Sequence, residues 1–187
     1  MIQRGVTLVE LMVTLAVAAV LMALALPAFD ALLDRERGTA ALNQIIGAVR
    51  LGRTEAIIRG RPVTLCPAAD GACLGRDQWH RGALVFTDDA ADGEVGPEDT
   101  VLTALPPLRQ GERVYWRSFR NRTYLRFQPR GYTAWQNGSF LYCPPDADVR
   151  RARMVIVNAQ GRVRVAADAD GDGVAEDAAG RALVCPP

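Results

Sequence analysis

Lysine is absent. All 22 basic side chains of this chain are arginine, so every cationic contact it makes on a side chain is through a planar fork suited to carboxylates and phosphates. The arginines are nearly matched by 21 acidic residues, for a net charge of +1 at pH 7. That balance excludes a uniformly basic nucleic-acid-binding domain. Histidine occurs once, as His80 beside Trp79. A single histidine with no serine or cysteine nucleophile pattern around it, and no glycine-rich phosphate loop, leaves no constellation for catalysis. We read no active site, no cofactor and no metal centre, and His80 as structural. Internal repeats and interdomain linkers are lacking too, and 187 residues less an anchor leave room for one soluble domain.

Charge is also missing from one long stretch. The run Val6–Leu26, VTLVELMVTLAVAAVLMALAL, holds a single ionisable side chain, Glu10. As a helix the run would extend about 31 Å, enough to cross a bilayer. A carboxylate inside such a helix costs about 2.5–3.5 kcal/mol on insertion scales, which predicts a positively charged partner. Upstream, Met1-Ile2-Gln3-Arg4-Gly5 is a very short leader with one basic residue and a terminal glycine. Cutting after Gly5 would free the amine of Val6 and place Glu10 fifth in the mature chain. A plain anchor accounts for the length and leaves Glu10 unexplained. A secretory signal ending at Ala23-Leu24-Ala25 would have an apolar core of about 7–15 residues, shorter than this run.

The arrangement resembles a class III signal, the leader of type IV pilins and pseudopilins. The resemblance implies that a prepilin peptidase cuts after Gly5 and that Glu10 neutralises the Val6 amine of a neighbouring subunit. Thr7 and Pro27 fall where that family has threonine or serine and a helix-kinking proline; Val6 departs from its commoner phenylalanine.

Beyond Pro27 the helical pattern becomes amphipathic. Leu42, Ile45, Ile46, Val49, Gly52, Arg53 and Ala56 recur at three- and four-residue steps between polar positions. Gly60 and Pro62 predict its stop, and Gly38-Thr39 a weak joint between the anchor half and the packed half. Short strands then follow at 63–66, 83–87, 100–105, 113–116, 123–128, 139–143, 153–158 and 162–167, with turn signals at Asp70-Gly71, Asp92-Gly93, Pro106-Pro107, Asn137-Gly138 and Gln160-Gly161. The pattern predicts an α+β chain: a long N-terminal helix, half in lipid, packed on antiparallel β-sheets. The expected divisions are a leader (1–5), a transmembrane helix (6–27), its amphipathic continuation (28–60) and a periplasmic β domain (61–187).

Four cysteines after an export signal suggest disulfides in an oxidising compartment. Three connectivities are possible. We favour the local one, Cys66–Cys73 around a Pro/Gly-rich loop and Cys143–Cys185, with ALVC (182–185) as a strand beside FLYC. Chain-entropy arithmetic gives about 2.5 kcal/mol for the short loop and about 4 kcal/mol for the long one.

Taken in order, RTEAIIRGRPVTLCP, the Trp79, Gly82, Phe86 spacing, FQPRGYTAWQNGSFLYC and VIVNAQGRVRV are similar to the GspH/FimT-type minor pilins over nearly the whole chain. That family comprises minor pilins of type IV pili and a minor pseudopilin of type II secretion; the paired cysteines and the GRVR ending favour the pilus branch. The resemblance implies an inner-membrane, single-pass subunit that enters the pilus tip. Its partners would be other minor pilins, the major pilin and the inner-membrane assembly platform. The GRxR pattern further resembles a DNA-binding motif of FimT-type pilins, which points to Arg162 and Arg164. On spacing alone, alternating arginines also fit the wet face of an ordinary strand.

Two charged zones remain. Arg109, Arg113, Arg117, Arg120, Arg122, Arg126 and Arg130, interleaved with Tyr115, Trp116, Phe119, Tyr124 and Phe127, suit nucleic acid or a pilin–pilin contact alike. Acids gather in two loops, 88–99 and 168–177. The second begins like a D-x-D-x-D-G calcium loop, but its twelfth position is Ala179, without the bidentate glutamate, so we read a solvated acidic turn.

Overall fold

A computed structural model of the chain describes residues 7–133 and 135–186, with side chains at 24–28, 30–32, 34 and 35 outside the description. Gly5 and Val6 therefore lie outside the described residues. Two compact units divide between Arg37 and Gly38. One helix, α1 (Leu8–Arg59), contributes to both.

Helix α1 begins at a capped end. Thr7 Oγ1 accepts the N–H of Glu10 at 3.2 Å, the relation of an N-cap threonine to the third helical residue. At the other end Gly60 leaves the helix with φ +64°, a left-handed turn that suits glycine. Arg59 pairs with Glu55 one turn earlier at 2.5 Å.

Among its described residues the second unit holds nine strands in two antiparallel sheets: β1 (Val63–Ala69), β2 (Ala72–Cys73), β3 (Ala83–Thr87), β4 (Val101–Leu105), β5 (Arg113–Ser118), β6 (Leu125–Phe127), β7 (Gly138–Cys143), β8 (Arg153–Val157) and β9 (Val163–Val165). Sheet one has the order β2-β1-β3-β4, with β6 also paired to β1; sheet two has the order β5-β7-β8-β9. Strict alternation sorts the side chains. In β1, Val63 and Leu65 face the main core while Cys66 and Ala68 join an outer cluster; in β7, Phe140 and Tyr142 face in while Leu141 and Cys143 face out.

The inner faces of both sheets close on one side of α1. Ala41, Leu42, Ile45, Ala48, Val49 and Ala56 are buried there with Val63, Leu65, Val85, Phe127, Phe140 and Val155. Gly52 permits a close approach: a Cβ there would lie 2.7 Å from Leu65 Cδ1. Trp79 comes from a 3₁₀ turn (Arg76–Arg81) and meets Phe140 edge-on at 4.8 Å, while Trp116 stacks on Phe140 at 4.3 Å.

Three details differ from the sequence reading. The 3₁₀ turn and the two-residue strand β2 were not anticipated; polar side chains around Trp79 mask a buried anchor. Asn137-Gly138, read as a turn signal, lies at a strand's start instead: Gly138 is the first residue of β7 and pairs with Ser118 and Val157. ALVC (182–185) is not a strand beside FLYC: both edges of β7 are taken by β5 and β8, and only Ala182 makes a bridge, to Glu176. The segment instead buries Leu183 on the outer face of sheet two. The disulfides are Cys66–Cys73 and Cys143–Cys185, so the bond to Cys143 forms without strand pairing.

Candidate functional site

Among the described residues, the start of α1 presents apolar side chains on every side. Leu8, Val9, Leu11, Val13, Val17 and Leu21 are each more than half exposed, and at 100° per residue they go all round the helix. Glu10 is exposed among them. Among the described residues no helix is long and apolar enough to cross a membrane. The described side chains of the run stop at Ala23, and its last three residues, Leu24, Ala25 and Leu26, lie outside them.

Arg162 and Arg164 flank Val163 at the turn from β8 to β9. Asn158 shapes this turn: its N–H donates to Arg162 O at 3.0 Å and its Oδ1 accepts the Arg162 N–H at 2.9 Å. Gly161 occupies it with φ +72°, and a Cβ there would lie 2.7 Å from Gly131 O, so only glycine fits. Both arginines are exposed, and among the described residues neither guanidinium has a hydrogen bond or an ion pair. Arg164 lies opposite Ile156 in the register, on the face away from the helix.

Acids stand close to Arg164. It shares a surface depression of about 440 Å³ with Asp170, Glu176 and Asp177. Asp177 accepts the Arg181 guanidinium at 2.8 Å, and this bond foremost, with backbone N–H donors, lowers its pKa to about 2. Asp168, Asp170, Asp172 and Glu176 each turn one carboxylate oxygen to within 4.8 Å of the others. Glu176, ninth in the loop, thus joins the set that sequence reasoning tested only at its twelfth position. Four carboxylates suit a hard cation such as calcium. The same groups accept backbone N–H bonds from Gly171, Gly173, Asp172, Val174 and Ala169, which satisfies the loop from within.

The arginine–aromatic zone does not survive as one patch. Trp116 and Phe127 are core residues and Tyr124 is buried. Of the five interleaved aromatics only Phe119 is more than half exposed. Arg126 is buried and bound to Asp88, at 2.8 Å from Nε to Oδ2, with Thr64 Oγ1 donating to the same oxygen at 2.6 Å. The Tyr124 ring covers Arg126 at 4.7 Å. Neither Arg126 nor Asp88 belongs to a wet charged surface; their pairing across 38 residues left no local signal. Arg151 is engaged by Asp146 and Asp148. Two other exposed aromatics, Tyr132 and Trp135, lie beside Ala159 and Gln160 of the β8–β9 turn.

Comparison with known proteins converges on one group. The family model described as type II transport protein GspH matches residues 41–161, and that of the prokaryotic N-terminal methylation motif matches residues 1–26. No curated protein matches the chain by sequence. In structure the chain is similar to the type IV minor pilin FimU of Pseudomonas aeruginosa, with 16% identity and a TM-score of 0.55 over 70% of this chain and 89% of that one. It is also similar to the minor pseudopilin EpsH of the type 2 secretion system of Vibrio cholerae, with 14% identity and a TM-score of 0.52 over 70% and 97% of the two chains. At these identities the likeness establishes the fold.

Proposed function

The chain belongs to the GspH family of minor pilins and pseudopilins, and on that premise we propose that it is a minor pilin, built into a type IV pilus from the inner membrane. The observation that carries this reading is the all-round apolar surface at the start of α1, within the span matched by the methylation motif. Such a surface is stable against lipid before assembly and against other helices after it. Cleavage after Gly5 exposes the Val6 amine, the site of methylation; Glu10 then supplies the counter-charge for a neighbour's amine in the filament. Processing leaves the C-terminal domain on the periplasmic side. Sequencing the N-terminus of the mature protein tests the first step: Val6 is expected, and a start at Leu26 would overturn it. Mass spectrometry of sheared pili tests the second. Absence from pili together with failed export of secreted enzymes on deletion would move the protein to a type II secretion pseudopilus.

A second activity has one observation in its favour, the exposed guanidinium groups of Arg162 and Arg164, unpaired among the described residues. They suit two phosphates of a DNA backbone, contacted without sequence preference. The neighbouring Asp170, Glu176 and Asp177 oppose such contact at Arg164 and limit it to weak binding. The full chain in detergent should therefore shift duplex DNA only at low salt. Arg162→Gln with Arg164→Gln should flatten the log–log salt slope by up to about two units, at about 0.9 per phosphate. An unchanged slope returns both residues to the wet face of β9.

A further inference from the structure

A cleft of about 600 Å³ opens where the β1–β2 turn, the 3₁₀ turn and the connection from β4 to β5 meet. Its charged and polar lining includes Asp70, His80, Arg81, Arg109, Glu112 and Arg113, and its volume is that of a ligand site, within about 300–1,000 Å³. The cations in it are short of acceptors. Among the described residues the guanidinium groups of Arg81 and Arg109 have neither a hydrogen bond nor an ion pair. Arg113 Nη1 meets, among the described residues, only His80 Nε2, at 2.5 Å.

The acids of the cleft do not neutralise them. Glu112 is 7% exposed and accepts the backbone N–H of Arg109 at 3.2 Å. Asp70 sits exposed in the β1–β2 turn. His80 adds no charge: burial foremost, and then the Arg113 cation, hold its pKa below the ordinary value. With Nε2 accepting from Arg113 the imidazole proton sits on the buried Nδ1, and the backbone of Asp77 opposes part of the lowering.

Guanidinium forks bind carboxylates in bidentate fashion. A small free anion would satisfy the arginines, but it would face Glu112 and Asp70 with nothing to offer them. A peptide brings both halves, side-chain carboxylates for the arginines and backbone N–H groups for the two acids. We propose that this cleft receives an acidic peptide segment of a neighbouring filament subunit, held through its Asp or Glu side chains by Arg81, Arg109 and Arg113. Carboxylate-rich turns are a surface that such subunits can offer, since this chain exposes one at Asp168–Asp172. The identity of the partner rests on the filament reading above; the chemistry of the cleft does not.

The test is a titration of the full chain in detergent with a capped, fluorescently labelled hexapeptide of aspartate and glutamate, followed by anisotropy. Saturable binding is expected, weakened at least tenfold by Arg81→Gln with Arg109→Gln. Both side chains are exposed, so that variant should fold, and an unchanged melting curve verifies it. Arg162→Gln with Arg164→Gln should leave the affinity within twofold. No saturable binding, equal loss in the two double variants, or displacement by an equimolar amount of inorganic phosphate would overturn the proposal. Because the titration needs no filament, absence of the protein from pili would sink the assembly reading and leave the cleft measurement standing.

Discussion

The two sheets share one inner core, yet their outer faces are closed by different devices. Over sheet one, Cys66, Ala68, Leu84, Phe86 and Tyr124 form a small apolar cluster, and the cover above it is tied by charge. Asp88, wholly buried, takes hydrogen bonds from Thr64, Arg126 and the N–H of Asp92, which fixes the start of the 88–99 loop to β1 and β6. Over sheet two, Leu141, Met154, Ala166 and Leu183 bury against one another, and the cover is tied covalently by Cys143–Cys185 across 42 residues. The disulfide of sheet one, by contrast, closes only a hairpin, with a separation of 7. The lesson is about where a crosslink matters: a network of short polar contacts holds a loop that returns quickly, and a covalent bond holds a C-terminal segment with no strand to pair with.

The sharpest way to break that comparison is to remove one half of the buried pair. Asp88→Ala leaves the Arg126 guanidinium buried without its counter-ion, which should cost about 3–5 kcal/mol. Urea unfolding of the full chain in detergent would measure it. Replacing Asp88 with leucine and Arg126 with methionine together should recover much of that loss, because the penalty lies in the orphaned charge. A loss below about 1 kcal/mol in the single variant would mean that the pair is not what holds the loop.

Next in size are the disulfides, and here the two sheets should differ. Cys143→Ser with Cys185→Ser should cost about 4 kcal/mol, and Cys66→Ser with Cys73→Ser about 2.5 kcal/mol, from the loop lengths released. The longer bond has a second readout: its loss should speed proteolysis within 166–185, since packing of Leu183 and the bridge from Ala182 to Glu176 are what remain. Equal costs for the two bonds would show that loop entropy is not the controlling term.

How much of this was legible in the chain follows from the distance over which each feature is encoded. The alternation in VTLC and FLYC, the glycine stop at Gly60 and the apolar stripe from Leu42 to Ala56 are set by neighbours within a turn or a strand, and each reads directly. Cys143–Cys185 could be chosen because few pairings compete, although the strand invoked for it does not exist. The Asp88–Arg126 pair could not be read: it joins one residue from an acidic zone and one from a mainly basic zone, and only the fold brings them together. The same holds for the cleft, whose arginines come from the 3₁₀ turn, a connection and β5. Asn137-Gly138 reads as a turn but Gly138 opens β7, because a local dipeptide signal does not register the ladders that β5 and β8 form with it.

The smallest effect belongs to the seam between the sheets, where His80 at the 3₁₀ turn before β3 meets Arg113 at the start of β5. The folded pKa of His80 is held below its ordinary value of 6.5, by burial foremost and by Arg113, so folding favours the neutral ring. The contribution to stability is therefore complete above about pH 6.5 and is lost as pH falls from there through the folded value, where protonation sets a cation against Arg113 with Arg81 nearby. Asp177 and Asp148 do not confuse this window: Asp177 is held at about 2 and Asp148 is also lowered, so their contributions fade only as pH falls below the ordinary carboxylate range. Unfolding midpoints taken between pH 7.5 and pH 5 should decline modestly in the native chain and stay flat in His80→Gln, whose amide oxygen can still accept from Arg113. A decline that persists in that variant would place the acid sensitivity elsewhere and leave the seam without a titrating contact.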